Sequence, residues 1–184
     1  MSLGPLLDSL IVKIDPILLG NYLGRTALIL FAITLTPGIF RRMVWFTHQN
    51  IVTKFVQYVS RYRAKFGIST YLFALSHFIF VRVFPFWPNV FRHPFAIFEW
   101  FGVFALLLLT PMFLTSNKYS YKKLGKNWKK LHKVVYIIIW LVFLHVGLQG
   151  TWYLTLIILV VGILEIVSFI NARKTAVERE NSTT

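Results

Sequence analysis

Apolar side chains gather in five long runs, at about residues 24–40, 66–85, 96–115, 132–149 and 152–171, each near the ~20 residues with which a helix crosses a bilayer. Polar and basic residues collect between the runs. The pattern predicts an all-α integral membrane protein, a helical bundle of about five transmembrane helices. The first run is the shortest. Ahead of it, Leu6, Leu7, Leu10, Ile11 and Ile14 follow a helical stripe, but Asp8, Lys13, Asp15 and Pro16 would be costly together at bilayer depth. An N-terminal interfacial segment is therefore expected over residues 1–23, followed by a membrane domain over 24–171 and a polar cytoplasmic tail over 172–184. No basic region precedes an apolar core at the N-terminus, so no cleavable signal is expected.

Composition agrees with the bilayer and narrows the chemistry. Of 184 residues, 57% are hydrophobic and 17% aromatic, more than a water-soluble domain of this size would hide. There are no cysteines, which excludes disulfides, iron–sulfur clusters, thiolate-bound zinc and covalent c-type haem. Metal chemistry would have to run through histidine. The formal charge of +14 would raise nucleic acid as a partner in a soluble protein. Here its distribution gives another answer. Arg41, Arg42, Lys54, Arg61, Arg63 and Lys65 lie between the first and second runs. Lys118, Lys122, Lys123, Lys126, Lys129, Lys130 and Lys133 lie between the third and fourth, and Arg173, Lys174 and Arg179 follow the fifth. Lys13, Arg25, Arg82 and Arg92 remain for the other side. By the positive-inside rule the N-terminus is outside and the C-terminus inside, and no nucleic-acid role is expected. The lysine-rich segment serves orientation first; docking of an acidic cytosolic partner or a flavin phosphate is a second reading.

His77, in "YLFALSHFIFVRVF", and His145, in "IIIWLVFLHVG", lie well inside apolar runs, where an ionisable side chain is costly and points to function. At ~1.5 Å per residue they stand roughly 16 and 20 Å from the inner ends of their helices, at similar depth. Two imidazoles facing each other at one level suit a bis-histidine b-type haem; interhelical hydrogen bonding is the alternative. His132 is roughly 20 Å along the axis from His145 by the same rise, so the two cannot share one iron. It is a candidate for a second haem near the inner face, or a cap among lysines. His48 and His93 fall in loops and are set aside. Arg25 and Arg82, toward the outer side, are candidates for haem propionates or for interface anchoring. Glu165 reads as the one acidic residue within a span, paired with a nearby cation.

The stretches "LGRTAL" at 23–28, "ALSHF" at 74–78, "LTSNKYSYKKLGKNWKKLHKVVY" at 114–136 and "FLH" at 143–145 together resemble the YedZ/MsrQ family. These are haem-binding membrane subunits of bacterial periplasmic methionine sulfoxide reductase systems, within the ferric-reductase-like transmembrane superfamily. The resemblance covers about residues 20–170. It implies location in the bacterial inner (cytoplasmic) membrane and haem b held by His77, His132 and His145. It also implies electron passage from a cytosolic flavin reductase or the quinol pool to a periplasmic molybdopterin-containing reductase subunit. FMN association would involve Arg61 and Arg63. The family usually has a further span ahead of "GRTAL", where this chain shows five runs. No nucleophile, base or substrate pocket is evident, so substrate chemistry is expected on a partner subunit, and the chain itself is an electron carrier. Two alternatives remain open: a ferric or other acceptor reductase of the same superfamily, and a haem-free membrane scaffold whose histidines only join helices.

Overall fold

The computed structural model describes residues 15–43 and 50–181. Five apolar helices among them are long enough to cross a bilayer, and the protein is a multi-pass membrane bundle. Helix α1 is Pro16–Arg42 and α2 is Asn50–Phe78. A π-helical turn, Ile79–Val83, and a short turn, Phe84–Phe86, extend α2. Helix α3 is Ile97–Leu114, the two short helices α4 and α5 are Lys118–Leu124 and Lys126–His132, α6 is Val135–Leu148 and α7 is Trp152–Asn181. Around the bundle α1 packs on α2, α2 on α3, α3 on α6, α6 on α7 and α7 back on α1. Chain neighbours are thus spatial neighbours.

Helix α1 begins near residue 16, not 24. Asp15 caps it by accepting the Ile17 amide at 2.9 Å, and Pro16 occupies the first turn, where a missing N–H costs nothing. Residues 16–23, expected at the interface, are therefore its opening turns; residues 1–14 of that expected segment lie outside the described residues. The run that is shortest in sequence becomes the most enclosed span, with 44% of its most apolar window buried against 6% for α3. Phe31 and Leu35 of α1 meet Ala105, Val135, Ile138, Ile139 and Ile158 in the central core. Helix α7 buries one stripe, Leu154, Ile158, Gly162, Glu165 and Ser168, and leaves its other faces apolar and exposed, as a lipid-facing helix should. Its last turns reach Asn181, so the expected polar tail continues the helix.

The cations of α4, α5 and the end of α7 lie at the same end of the bundle as Arg41, Arg42 and the start of α2, which gives the molecule one strongly basic end. Asn117 caps α4 through the Ser120 amide at 2.8 Å, and Gly125, at φ 51°, breaks α4 from α5 in a conformation that suits glycine. Trp128 Nε1 donates to the Thr115 carbonyl at 2.9 Å and ties α5 beneath α3.

Glu165 finds the cationic partner expected of it. Arg42 Nη2 lies 2.6 Å from Glu165 Oε2, Arg42 Nε donates to Ser168 Oγ at 2.9 Å, and the guanidinium sits 4.0 Å over the Phe169 ring. This group fastens α1 to α7 near the basic end. Removing one member of such a pair leaves a buried charge unmatched, at a cost of about 3–5 kcal/mol. Glu165→Ala is expected to lower the melting temperature in detergent sharply, and the double change Arg42→Met with Glu165→Met to recover most of it; equal loss in both would deny the pair this role.

Candidate functional site

His77 and His145 come together across the bundle. Their ring centroids are 6.2 Å apart and their planes cross at 76°. Both border a cavity of about 390 Å³ between α1, α2, α3 and α6, walled by Ala27, Leu28, Phe31, Leu106, Leu109 and Val142. His77 Nδ1 donates to the Gly20 carbonyl at 2.8 Å, and His145 Nδ1 to the Phe98 carbonyl at 2.7 Å. A carbonyl only accepts, so each Nδ1 carries the proton and each Nε2 keeps a free lone pair. A metal-binding histidine is commonly held in this way through its other nitrogen.

The two histidines share one local design. Each ring donates to the carbonyl of one residue on a neighbouring helix and lies against the glycine four residues later, one turn along. A Cβ at Gly24 would stand 2.7 Å from His77 Nδ1, and one at Gly102 would stand 2.8 Å from His145 Nδ1. Any larger residue would push the ring off its carbonyl. Imidazole nitrogen binds first-row metals at about 2.0 Å, which puts the centroids of two rings on opposite sides of one metal about 6.4 Å apart. The observed separation suits that arrangement. Among the described residues no three His, Asp or Glu side chains gather into a metal site. A metal held by this pair would draw its remaining ligands from a group other than the described side chains.

The other expected residues divide. His132 lies elsewhere, bordering a second cavity of about 510 Å³ toward the basic end, with Arg63, Ser60, Asn117, Tyr121 and Trp128. Its Nδ1 donates to the Trp128 carbonyl at 3.1 Å and its ring stacks on that indole at 3.8 Å. Phe31, Thr70 and Leu109 border both cavities. Arg61 is exposed. Arg25 borders the first cavity, exposed, with its guanidinium 5.5 Å over the Tyr22 ring. Arg82 borders it too but is buried, and its guanidinium is engaged with Glu99 at 3.3 Å and with loop carbonyls. His93, set aside in the sequence, lies tilted against Phe86 with ring centroids 4.6 Å apart; His48 lies outside the described residues.

Sequence reasoning missed Gly24, Gly102 and Glu99. Glu165 is not the only acid in a span, since Glu99 sits in the first turn of α3, where its carboxylate accepts the Ala96 amide at 2.7 Å. An acid three residues past a helix start was the available signal. The glycines offered none beyond their place in apolar runs. Both imidazoles are expected as the Nδ1–H tautomer in haem-free protein, read from ¹⁵N shifts of labelled histidine; an Nε2–H tautomer at either would contradict the hydrogen-bond assignment.

Residues 23–143 match the family described as ferric reductase like transmembrane component. The protein-methionine-sulfoxide reductase heme-binding subunit MsrQ of Brucella anthropi is 38% identical over 86 residues. Those of Brucella ovis and Brucella canis are 40% identical over the same length. The matched stretch is 43% of this chain, which spans only 38% of the length of each of these relatives. No solved structure matches the chain.

Proposed function

The chain belongs to the ferric reductase-like transmembrane family, and from that membership we propose that it is a membrane b-type cytochrome, an electron-transfer subunit whose haem is held by His77 and His145. The observation that carries the proposal is the facing pair itself: two rings 6.2 Å apart, each with Nδ1 committed to a carbonyl. The Nε2 atoms of His77 and His145 would hold the iron of a haem bound in this cavity. The glycines at 24 and 102 seat the two imidazole rings, and the apolar cavity walls fit a porphyrin.

Bound haem supplies a one-electron iron couple. The chain's own residues do the rest. His77 and His145 offer Nε2, while the Gly20 and Phe98 carbonyls hold the tautomer, orient the rings and raise their basicity. Phe31, Leu106, Leu109 and Val142 keep water from the pair. Arg25, exposed on the cavity border, is the cation available to propionates. His132, with a separate cavity, is the candidate ligand for a second haem nearer the basic end. FMN at Arg61 and Arg63 rests on the family resemblance alone and does not enter the proposal.

The basic end would face the cytoplasm of a bacterial inner membrane, with the N-terminus outside. Electrons would enter there from a cytosolic flavin reductase or quinol and leave at the end carrying residues 87–96. The relatives' name supports a methionine sulfoxide reductase as acceptor; that it is a periplasmic, molybdopterin-containing subunit is what the family resemblance adds. Substrate chemistry then belongs to that subunit. The family description supports one other reading, reduction of ferric iron or another acceptor at the protein's own outer face. Rapid oxidation of the reduced, partner-free protein by a ferric chelate would favour it.

The reduced-minus-oxidised visible spectrum is the test. Wild type is expected to show a b-type spectrum, His77→Ala and His145→Ala to lose it, and His132→Ala to retain most of it. Colourless wild type, with haem supplied during expression, would sink the proposal. Reporter fusions after Asn181 should read cytoplasmic; a periplasmic signal would reverse the assigned direction.

A further inference from the structure

The π-helical turn Ile79–Val83 begins two residues beyond His77 and carries Arg82, which is 5% exposed. In an unbroken α-helix Arg82 would stand about 140° round the axis from His77. A π turn takes more residues per revolution. Here it brings Arg82 to border the same cavity as His77.

Arg82 does not wait there for a ligand. Its Nη1 lies 3.3 and 3.4 Å from the Glu99 carboxylate oxygens. Its Nη2 donates to the carbonyls of Val90, His93 and Pro94. The guanidinium is sandwiched over Phe95 at 3.9 Å and near Phe86 at 4.8 Å. One buried side chain therefore ties the end of α2, the connecting loop and the first turn of α3 together. Glu99 follows Phe98, whose carbonyl orients His145, and also holds the Ala96 amide that opens α3. On the adjoining position of the same turn, Val81 presses against Gly20, where a Cβ would stand 2.5 Å from Val81 Cγ2. The Gly20 carbonyl orients His77.

We propose that Arg82 is a positioning residue: acting through Glu99, it fixes the Phe98 carbonyl and so the plane of His145, while the π turn that presents it seats against Gly20 and fixes the plane of His77. Neighbouring residues of one turn thereby set both imidazole planes and the 76° between them. Its place is between the two ring supports, not on a propionate. The proposal rests on the haem reading. It is separable from it, because the test compares forms of the protein that contain haem.

Ferric low-spin haem with crossed imidazole planes gives a highly anisotropic electron paramagnetic resonance signal whose low-field feature moves when the planes rotate. That signal, haem per chain and the melting temperature are measured for full-length Glu99→Gln, Arg82→Gln, the double variant and Arg42→Gln. Glu99→Gln keeps one oxygen for the Ala96 amide, and removes the charge and the second acceptor oxygen that faces Arg82. The double variant leaves no buried charge unmatched. Arg42→Gln breaks a comparable pair at the far end and is expected to lower stability with the signal unmoved. In Glu99→Gln and in whichever Arg82 variants retain haem, the low-field feature is expected to shift or split into several species. Loss of haem from Glu99→Gln at an unchanged melting temperature supports the proposal equally, since the fold then survives without the ligand geometry. Signals superimposable on wild type would overturn it, as would loss of haem only together with unfolding, which would make the pair a fastening of the fold. A wild type without haem would strike the underlying cytochrome reading instead.

Discussion

A helical carbonyl that has accepted the amide four residues on still has a second lone pair, and the site depends on that spare capacity. At Gly20 and at Phe98 an imidazole takes it. The geometry is demanding, because the side chain of the residue one turn later normally covers the carbonyl's outer side. Glycine at 24 and 102 uncovers it. Both histidines thus gain a fixed tautomer and a fixed direction without any polar side chain being brought into the bilayer, where such a group would be costly. The cavity between them can remain apolar for the same reason.

Two arginine–glutamate pairs bracket the bundle. Arg42 with Glu165 joins α1 to α7 near the basic end, and Arg82 with Glu99 joins α2 to α3 near the other. Each is flanked by an aromatic ring, Phe169 in one case and Phe95 in the other. Arg42 also has Ser168, and Arg82 three loop carbonyls. Between these polar fastenings the helices meet mainly through apolar contacts, which alone have little directional preference in lipid, together with the two histidine–carbonyl bonds and the Thr110–Tyr71 hydrogen bond. The pairs therefore carry much of the register that apolar packing leaves loose.

Much of this was legible along the chain. Five apolar runs gave the five spans, the shared depth of His77 and His145 gave their meeting, and the isolation of His132 followed from simple helix rise. Other features depend on relations that periodicity does not encode. The start of α1 at Pro16 turns on a single capping aspartate within a segment whose charges argued for the interface. Arg82 reads as a propionate partner or an interface anchor from its place toward the outer side, and periodicity does not encode the π turn that carries it buried among loop carbonyls. Gly24 and Gly102 are unremarkable residues in apolar runs until another helix lays a ring across them.

The order of these partners along the chain bears on how the protein is made. Gly20 and Gly24 lie on α1, ahead of His77 on α2, and Phe98 and Gly102 lie on α3, ahead of His145 on α6. A chain inserted from its N-terminus therefore delivers each histidine into a membrane that already holds its acceptor. The costly ring never has to wait unpartnered in lipid for a later segment. Biogenesis can proceed as two successive hairpins, each with its histidine already bonded, while Arg82 and Arg42 meet Glu99 and Glu165 as the later helices arrive and the space between the rings closes when the second hairpin docks on the first.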